Sequence, residues 1–229
     1  MYQLFIANKN YSSWSLRPWV LMKTLEIPFE ERLTSFPETA PGNTVFLKFS
    51  PSGKVPCLKD GDITVWDSLA IAEYLNERHA GVWPVDARAR SFARSAAAEM
   101  HSGFSNLRNI CGMNCGIRVR LKEVTPALDD ELSRLVDLWN DGLKRFGGPF
   151  LAGQVFTAGD AFFSPVAFRV QTYGLPLDAN SAAYVRRLLD LPSMKEWYNA
   201  GIAETWRIQR YEEEARAAGE VMKDLRAAA

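Results

Sequence analysis

The spacing of hydrophobic and polar residues along the chain changes near residue 80. The first part mixes strand-like and helix-like spacing, with helical patterns over 15–25 and from Leu69 to near His79. The strand-like segments are 4–6, 29–33, 57–59 and 63–66, of which the last two flank Asp60-Gly61-Asp62 as in a hairpin. The Pro- and Gly-containing stretch 36–43 is predicted to be a loop. This order predicts a small α/β unit.

After residues 81–86 the pattern becomes helical throughout. Helix-like spacing covers 87–115, 126–146, 157–173, 182–189 and 193–205, and no strand pattern of comparable strength interrupts it. From Glu212 onward the sequence predicts a polar, Ala-rich helix. This helix either frays or folds over the functional site. We therefore predict an α/β domain over 1–80, a linker over 81–86 and an all-helical domain over 87–229.

Pro18 constrains where the first helix begins. A proline is tolerated in the first turn of a helix, where its missing N–H leaves no hydrogen bond unmade. Ser15 is therefore the earliest residue that fits the N-cap position of this helix. It leaves Ser12 and Ser13 in the loop that precedes the helix.

Composition and charge narrow the class of protein. The chain has 47% hydrophobic and 24% charged residues, as is typical of a soluble globular protein, and its 27 acidic and 27 basic residues give no net charge. Nothing therefore favours nucleic acid or a membrane as a partner. No apolar run approaches the roughly 20 residues that span a bilayer, and the N-terminus lacks the features of a signal peptide.

The cysteines indicate a reducing compartment. Cys57, Cys111 and Cys115 are an odd number without secretory context, so we expect a cytoplasmic protein without disulfides. Cys111 and Cys115 share a helix face but are too few for a zinc site. We expect them to be packing residues and expect no metal.

Ser52-Gly53-Lys54-Val55-Pro56 is the first candidate binding segment. X-Pro bonds are the only peptide bonds that become cis at low cost, and a cis bond here leaves the Val55 main chain free to pair with a bound ligand as an added strand. The alternative is a trans proline at the start of a strand, which is the commoner case.

Asp67 and Ser68 form the second candidate segment, at the front of an apolar helical pattern. Either residue can cap that helix. In addition, free N–H groups at a helix start attract a carboxylate, and an Asp beside them suits an ammonium. An amino-acid end is therefore the natural ligand.

The order of strand, Ser-bearing turn, helix, Val-Pro step, hairpin and Asp-Ser helix resembles the cytosolic glutathione transferases over nearly the whole chain. The resemblance implies a thioredoxin-like domain followed by a helical bundle, glutathione as cosubstrate, a small electrophile as second substrate, and a homodimer. It also implies a cis bond at Val55-Pro56. Asp67 and Ser68 then hold the γ-glutamyl group.

Thr157-Ala158-Gly159-Asp160 is similar to a capping box, with Asp in the place where Glu or Gln is commoner. It resembles the capping motif that opens a buried helix in the helical domain of this family. We assign it a structural role and no chemistry.

The serines at 12 and 13 are candidates to stabilise the glutathione thiolate. Ser12-Ser13-Trp14-Ser15-Leu16-Arg17 resembles the Ser-Ser-Cys-Ser start of class zeta, which makes Ser12 the catalytic hydroxyl. Counting back from Arg17, as in theta-like sequences, makes it Ser13. Arg17 can add positive potential, and Trp14 stands where zeta enzymes have Cys. Without the resemblance, Tyr11-Ser12-Ser13 is predicted to be only a polar turn.

Lys54 adjoins Val55 and is a candidate partner for the glycine carboxylate of glutathione, although it also fits an ordinary surface lysine. Lys48 is a weaker candidate. Candidates for the acceptor site, which binds the second substrate, lie on the first helix of the second domain. They are His101, Phe104, Ser105, Arg108 and Cys111. Arg108 suits an anionic substrate, held bidentately, and equally suits an exposed charge or an ion pair between the domains.

The leading prediction is a glutathione transferase that conjugates glutathione to small electrophiles. An alternative is a glutathione-dependent cis–trans isomerase of the maleylacetoacetate type. Zeta isomerases have an Arg late in the capped helix where this chain has Thr172, and Arg169 lies one turn earlier. A second alternative is a non-catalytic relative that keeps the fold as a binding or regulatory module.

Overall fold

The computed structural model describes residues 1–37 and 43–228. Its first part is a four-stranded sheet of β1 (Tyr2–Ile6), β2 (Phe29–Leu33), β3 (Cys57–Asp60) and β4 (Ile63–Trp66). The strand order is β2-β1-β3-β4, in which β1 and β2 are parallel and the other pairs antiparallel. Helices α1 (Ser13–Thr24) and α2 (Ser68–Asn76) complete this unit. Residues 38–42 of the predicted loop 36–43 lie outside the described part of the chain.

The second part is mainly helical. Its elements are α3 (Ala87–Ser102), α4 (Ser105–Ile110), β5 (Ile117–Leu121), α5 (Pro126–Phe146), α6 (Ala158–Tyr173), α7 (Ala179–Asp190), α8 (Pro192–Ala203), α9 (Gln209–Ala218) and β6 (Gly219–Asp224). Together with the sheet, this confirms the predicted fold class of a thioredoxin-like unit followed by a helical unit. The boundary at residues 81–86 stays a prediction. No helix in residues 1–37 and 43–228 is long and apolar enough to cross a membrane.

The two parts share one core, in which α6 is the central element. Nearly every residue of α6 is buried, and the helix packs against α1 on one side and α3 on another. Trp19 of α1 meets Trp197 of α8 edge to face, with ring centres 5.1 Å apart. The indole of Trp197 also donates to the Lys9 carbonyl at 2.8 Å. Burial of these rings fixes the sheet against the helices, and the cleft between the two parts follows from that packing.

The capping motif predicted at Thr157 opens α6. The Asp160 carboxylate accepts from the backbone N–H of Thr157 at 3.0 Å, and it reaches further to the N–H of Leu151 at 3.0 Å and the hydroxyl of Tyr184 at 2.9 Å. Asp160 is fully buried. One carboxylate therefore ties the start of α6 to the preceding loop and to α7.

The predicted start of the first helix was wrong by two residues. Helix α1 begins at Ser13 with Ser12 at the N-cap, so Ser13 is helical, and Pro18 lies inside the helix. The Ser12 carbonyl already accepts from the N–H of Leu16 at 3.2 Å. Proline removes one hydrogen bond from the second turn, and burial of Leu16, Trp19 and their neighbours outweighs that loss.

The single helix predicted over 87–115 is divided. Helix α3 ends at Ser102, and Phe104 adopts a left-handed conformation with φ of 54° before α4 begins. A Cβ on Gly103 would come within 2.9 Å of the Glu99 carbonyl, so this corner requires glycine. The break turns α4 toward the cleft.

A two-stranded sheet in the second part was also missed. Strand β5 pairs antiparallel with β6, with a bulge between Arg118 and Val119. The helix predicted from Glu212 onward therefore ends at Ala218, and the chain continues as a strand. The pairing returns the C-terminal segment to the cleft.

Candidate active site

A cavity of about 750 Å³ opens between the two parts of the molecule. From the first part it is lined by Tyr11, Ser12, Ser13, Trp14, Phe36, Phe46, Ser52, Lys54, Val55, Pro56, Trp66, Asp67 and Ser68. From the second part it is lined by Arg108, Asn109, Gly112, Met113, Arg169, Arg210, Tyr211 and Glu214. All seven residues predicted to act on glutathione therefore line one space, and of the three principal acceptor candidates Arg108 joins them.

Ser12 and Ser13 meet the cavity at the start of α1. Ser12 is 3% exposed, and its hydroxyl donates to the Ser15 hydroxyl at 2.7 Å. Ser15 in turn accepts from the N–H of Ala7 at 3.2 Å, which ties the end of β1 to α1. The N-cap residue Ser12 makes no side-chain capping bond to α1, and both serines line the cavity at this positive helix end.

Arg17 lies behind these serines and is almost fully buried. Its guanidinium carbon lies 4.1 Å from the centre of the Trp14 ring and 4.9 Å from that of Phe162. One guanidinium nitrogen donates to the Ser68 hydroxyl at 3.5 Å. Burial, with the nearby charge of Arg169, lowers the pKa of Arg17 to about 9. The side chain is still cationic at neutral pH and adds positive potential beneath the site.

The Val55–Pro56 peptide bond is cis, as the family resemblance implied and contrary to the commoner case. Pro56 is buried and Val55 half-buried, and β3 begins directly afterwards at Cys57. Lys54 is exposed beside them at the cavity mouth. The segment therefore presents main chain and one exposed cation to the cavity.

Asp67 and Ser68 begin α2. The Asp67 carboxylate accepts from the N–H of Leu69 at 2.8 Å, and the backbone of Asp67 has a φ of 76°. A residue other than glycine at such a positive φ costs roughly 1–3 kcal/mol of stability, and residues of this kind cluster at functional sites. The second carboxylate oxygen lies 3.4 Å from Nε2 of His101. Burial lowers the pKa of His101, so this partner is neutral at pH 7 and leaves the charge of Asp67 available.

Two arginines form the opposite wall. Arg169 of α6 is 4% exposed, and it donates to the Cys111 carbonyl at 2.8 Å and to the Pro165 carbonyl at 3.3 Å. Arg108 of α4 is half-buried and donates to the His101 carbonyl at 3.1 Å. Its guanidinium carbon lies 5.5 Å from the centre of the Trp14 ring. Both Arg17 and Arg108 therefore lie close to the Trp14 ring.

Helix α9 covers the remaining side of the cavity. Tyr211 stacks on Tyr11 with ring centres 5.2 Å apart. The Tyr11 hydroxyl donates to Glu212 at 2.6 Å, and Arg226 binds the same carboxylate at 2.5 Å. Burial and the bond to Glu212 raise the pKa of Tyr11 to about 12. Tyr11 is therefore a positioning residue, because its hydroxyl proton is committed to Glu212.

The remaining acceptor candidates lie outside the cavity lining. His101 packs its ring edge against Trp14 and faces Asp67, and Ser105 is exposed at the start of α4. Phe104 and Cys111 are buried in the core. Lys48 is exposed outside the cavity. In residues 1–37 and 43–228 there is no group of three or more His, Cys, Asp or Glu that could hold a metal ion.

The sequence interpretation missed the aromatic and charged residues of α9. Tyr211, Arg210 and Glu214 line the cavity, although the tail was expected only to fray or to fold over the site. Within Gln209–Ala218, the buried residues Glu212 and Ala215 lie three positions apart, and most of the residues around them are exposed. A spacing of three places both on one face of the helix, and this was the sequence signal for a packed helix.

Comparisons with known proteins identify the family. The N-terminal domain model of glutathione S-transferase matches residues 11–78, and the C-terminal domain model matches residues 122–200. The chain therefore belongs to the cytosolic glutathione S-transferase family, and the predicted family is confirmed.

Particular relatives are similar over different lengths. The chain is 42% identical over 65 residues to a dichloromethane dehalogenase of Methylorubrum extorquens, which covers 27% of this chain and 23% of that protein. It is 30% identical over 123 residues to a zeta-class glutathione S-transferase of Euphorbia esula, covering 52% and 55%. The chain thus spans about half or less of these two relatives. A glutathione transferase homologue of Burkholderia, solved with bound glutathione, has a TM-score of 0.65 at 22% identity, covering 87% of this chain and 97% of that one.

Proposed function

We propose that the protein is a glutathione transferase that activates the thiol of glutathione at the start of α1 and transfers its sulfur to a small electrophile. The observation that carries the proposal is the convergence of three main-chain features on one cavity of about 750 Å³. These are the uncapped start of α1, the Val55–Pro56 segment and the start of α2. Each suits a different part of a charged tripeptide.

The start of α2 suits the γ-glutamyl end. Its N–H groups and the Ser68 hydroxyl attract the carboxylate, and Asp67 attracts the ammonium. The Val55 main chain pairs with the peptide portion as an added strand. Lys54 attracts the glycine carboxylate from the cavity mouth.

The start of α1 suits the thiol. Only a few per cent of a thiol with pKa near 8.5 is ionised at pH 7, and lowering that pKa by about two units takes roughly 2.7 kcal/mol. The Ser12 hydroxyl, the helix dipole and the charge of Arg17 supply that stabilisation. We assign the hydrogen bond to Ser12, with Ser13 as the alternative. The thiol proton leaves to solvent, the sulfur forms a bond to the electrophilic carbon, and the leaving group departs with its electron pair.

The test is glutathione binding to the full chain by calorimetry, with the thiol pKa followed by thiolate absorbance. We expect binding with a thiol pKa well below 8.5, by about two units. S-methylglutathione is the matched ligand control, because it binds through the same groups but has no ionisable thiol. Binding without a pKa decrease, or no binding, would overturn the proposal in favour of a non-catalytic relative.

A second candidate is a glutathione-dependent cis–trans isomerase. The observation in its favour is Arg169, which lines the cavity on the helix where zeta isomerases carry an arginine. Thr172 donates to the Asn114 carbonyl at 2.6 Å and does not line the cavity. The two reactions differ in stoichiometry, since an isomerase converts its substrate without consuming glutathione. Titration of free thiol during turnover of a maleyl-type diacid distinguishes them.

We extend the proposal, from family membership, to a homodimer that detoxifies electrophiles in the cytoplasm. Sedimentation equilibrium measures the assembly directly. A mass close to twice 25.7 kDa at micromolar concentration is expected, and a mass of 25.7 kDa contradicts the dimer.

A further inference from the structure

Arg169 presents a buried positive charge to the cavity. Both hydrogen bonds that it makes within the described residues go to carbonyl oxygens, those of Cys111 and Pro165. Burial, together with the nearby charge of Arg108, lowers the pKa of Arg169 to about 10. The carbonyls orient the guanidinium without neutralising it.

Arg108 adds a second cation to the same wall. Its hydrogen bond within the described residues also goes to a carbonyl, that of His101. The two arginines come from different helices, α4 and α6, and both line the cavity. The charge of Arg108 disfavours the charged form of Arg169, and an anion bound to both would relieve that repulsion.

The carboxylates of the cavity do not fill this role. Asp67 is engaged by the N–H of Leu69 and faces His101. Glu214, on α9, lies near Arg210, and burial raises its pKa against the lowering effect of the Arg210 charge. The anion that satisfies Arg108 and Arg169 must therefore come from a ligand.

Glutathione already has cationic partners elsewhere in the cavity. Its two carboxylates suit the start of α2 and Lys54, and its sulfur suits the start of α1. Arg17 donates to Ser68 and so belongs to that side of the cavity. Arg108 and Arg169 stand on the wall that remains for the second substrate.

We propose that the second substrate is a small electrophile bearing a carboxylate, which Arg108 and Arg169 bind. This inference rests on the proposed transferase function and names its substrate class. The guanidinium fork matches the two oxygens of a carboxylate, which a lysine ammonium does not. The neighbouring apolar surface is formed by Trp14 and Met113, so a flat body attached to the carboxylate fits best.

A matched pair of probes tests the class. The aryl chlorides 4-chloro-3-nitrobenzoate and 4-chloro-3-nitrobenzamide undergo the same displacement, in which sulfur bonds to the ring carbon and chloride leaves with its electron pair. They are close in size and shape, and the benzoate carries a negative charge that the benzamide lacks. After correction for the uncatalysed rate of each, we expect kcat/KM for the benzoate to exceed that for the benzamide by about 10- to 100-fold.

Variants assign the preference to the two arginines. Arg108→Gln, at a half-buried position, should reduce the ratio of kcat/KM for the benzoate to kcat/KM for the benzamide by about tenfold. Arg169→Lys keeps the charge but removes the fork, and we expect an intermediate loss. The control is Arg118→Gln. Arg118 is also partly buried and also donates to carbonyls, those of Cys115 and Ile117, but it lies outside the cavity.

A binding measurement separates this inference from the transferase proposal. In glutathione-saturated protein, 3-nitrobenzoate should quench tryptophan fluorescence at lower concentration than 3-nitrobenzamide, and Arg108→Gln should reduce the ratio of the two affinities by about tenfold. Equal affinity for the two probes, or an affinity ratio that Arg108→Gln leaves unchanged, overturns the anionic substrate class even if conjugation occurs. Absence of glutathione binding overturns the transferase proposal instead, and the same comparison of the two nitro probes without glutathione then decides the anion site.

Discussion

The hydroxyl of Ser12 donates its proton to the hydroxyl of Ser15 at 2.7 Å, and Ser15 accepts a second hydrogen bond from the N–H of Ala7 at 3.2 Å. A hydroxyl has one proton to donate, so Ser12 stabilises a thiolate only after rotating that proton away from Ser15. Ser15 still has its own proton and can then donate back to Ser12. The pair can therefore form a short relay from the end of β1 to the cavity.

Replacing Ser12 tests this assignment. We expect Ser12→Ala to lower kcat/KM about 10²-fold, because a hydrogen-bond donor to the thiolate is lost. The thiol pKa of bound glutathione should rise by one to two units, roughly, while glutathione affinity measured below that pKa changes little. Stopped-flow conjugation and thiolate absorbance are the measurements.

Ser13→Ala is the matched control, because Ser13 lines the same cavity one residue later. We expect less than a threefold change in rate. If Ser13→Ala raises the thiol pKa and Ser12→Ala does not, the catalytic hydroxyl belongs to Ser13.

Asp67 combines a capping role with a binding role, and two variants separate them. Asn caps helices as well as Asp does and tolerates positive φ, so Asp67→Asn should keep the free energy of unfolding within about 0.5 kcal/mol. It removes the charge, so glutathione affinity should fall at least tenfold. Asp67→Ala should lose both properties, with a decrease in unfolding free energy of about 1 kcal/mol. Calorimetry and urea unfolding give the two numbers, and unchanged affinity in Asp67→Asn would refute the γ-glutamyl assignment.

Lys54 and Lys48 are two exposed lysines, of which only Lys54 lines the cavity. An ion pair at an exposed position contributes up to about 1 kcal/mol, so Lys54→Met should weaken glutathione binding by roughly fivefold. It should not move the thiol pKa. Lys48→Met has the same chemistry outside the cavity and should leave the affinity unchanged. Equal effects of the two variants on glutathione affinity would show that Lys54 acts only through general surface charge.

The C-terminal segment is held by a buried ion pair. Arg226 binds Glu212 through side chains that are only 4% and 10% exposed. Arg226→Gln leaves a buried carboxylate without its cation, which costs about 3 kcal/mol or more. We expect faster amide exchange across β6 and a raised KM for the electrophile, because α9 covers the cavity. Hydrogen-exchange mass spectrometry is the measurement.

Arg120→Gln is the control for this variant. Arg120 of β5 pairs with Glu220 of β6, but both side chains are largely exposed. Its loss should change stability by less than about 1 kcal/mol. If both variants loosen β6 equally, the strand pairing itself and not the buried pair holds the segment.

Much of the glutathione side could be predicted from the sequence because its signals are local. A Val-Pro step or an Asp-Ser pair at a helix start determines backbone geometry within a few residues. On the opposite wall, Arg108 and Arg169 could be named as candidates, but their arrangement could not be predicted in this way. Arg169 is oriented by a carbonyl 58 positions away, and Tyr11 binds a carboxylate 201 positions away. Periodicity shows that a residue is buried but not which distant residue it meets.

Strand β5 illustrates a different limit. The alternation of Ile117-Arg118-Val119-Arg120-Leu121 is visible in the sequence. Its partner β6 is mostly exposed and polar, and the register shifts at a bulge. An isolated five-residue alternation between long helical patterns carried too little weight without that partner. The corner at Gly103 and Phe104 was missed because its left-handed residue is an aromatic one.

Asp160 connects the stability of the fold to pH. Burial raises the pKa of Asp160 to about 6, and hydrogen bonds from Leu151, Thr157 and Tyr184 offset only part of that rise. The folded state therefore binds a proton more tightly than the unfolded chain, whose Asp has a pKa of 3.8. The contribution of this group to stability is greatest below pH 3.8, is lost as the pH rises to about 6, and is constant above that.

Asp160→Asn removes this titration together with the cap. We expect the variant to lose about 3 kcal/mol of unfolding free energy at pH 7.5, since one amide oxygen cannot replace two carboxylate oxygens. At pH 5 the difference from the parent should be larger by about 1 kcal/mol, because only the parent gains from protonation. Tyr184→Phe is the control, as it removes one hydrogen bond to the carboxylate and should cost about 1 kcal/mol while retaining the pH dependence. Urea unfolding of the parent and the two variants at both pH values gives the unfolding free energies to be compared. A difference between Asp160→Asn and the parent that shrinks or stays constant at pH 5 would mean that the carboxylate is ionised throughout and that its hydrogen bonds outweigh burial.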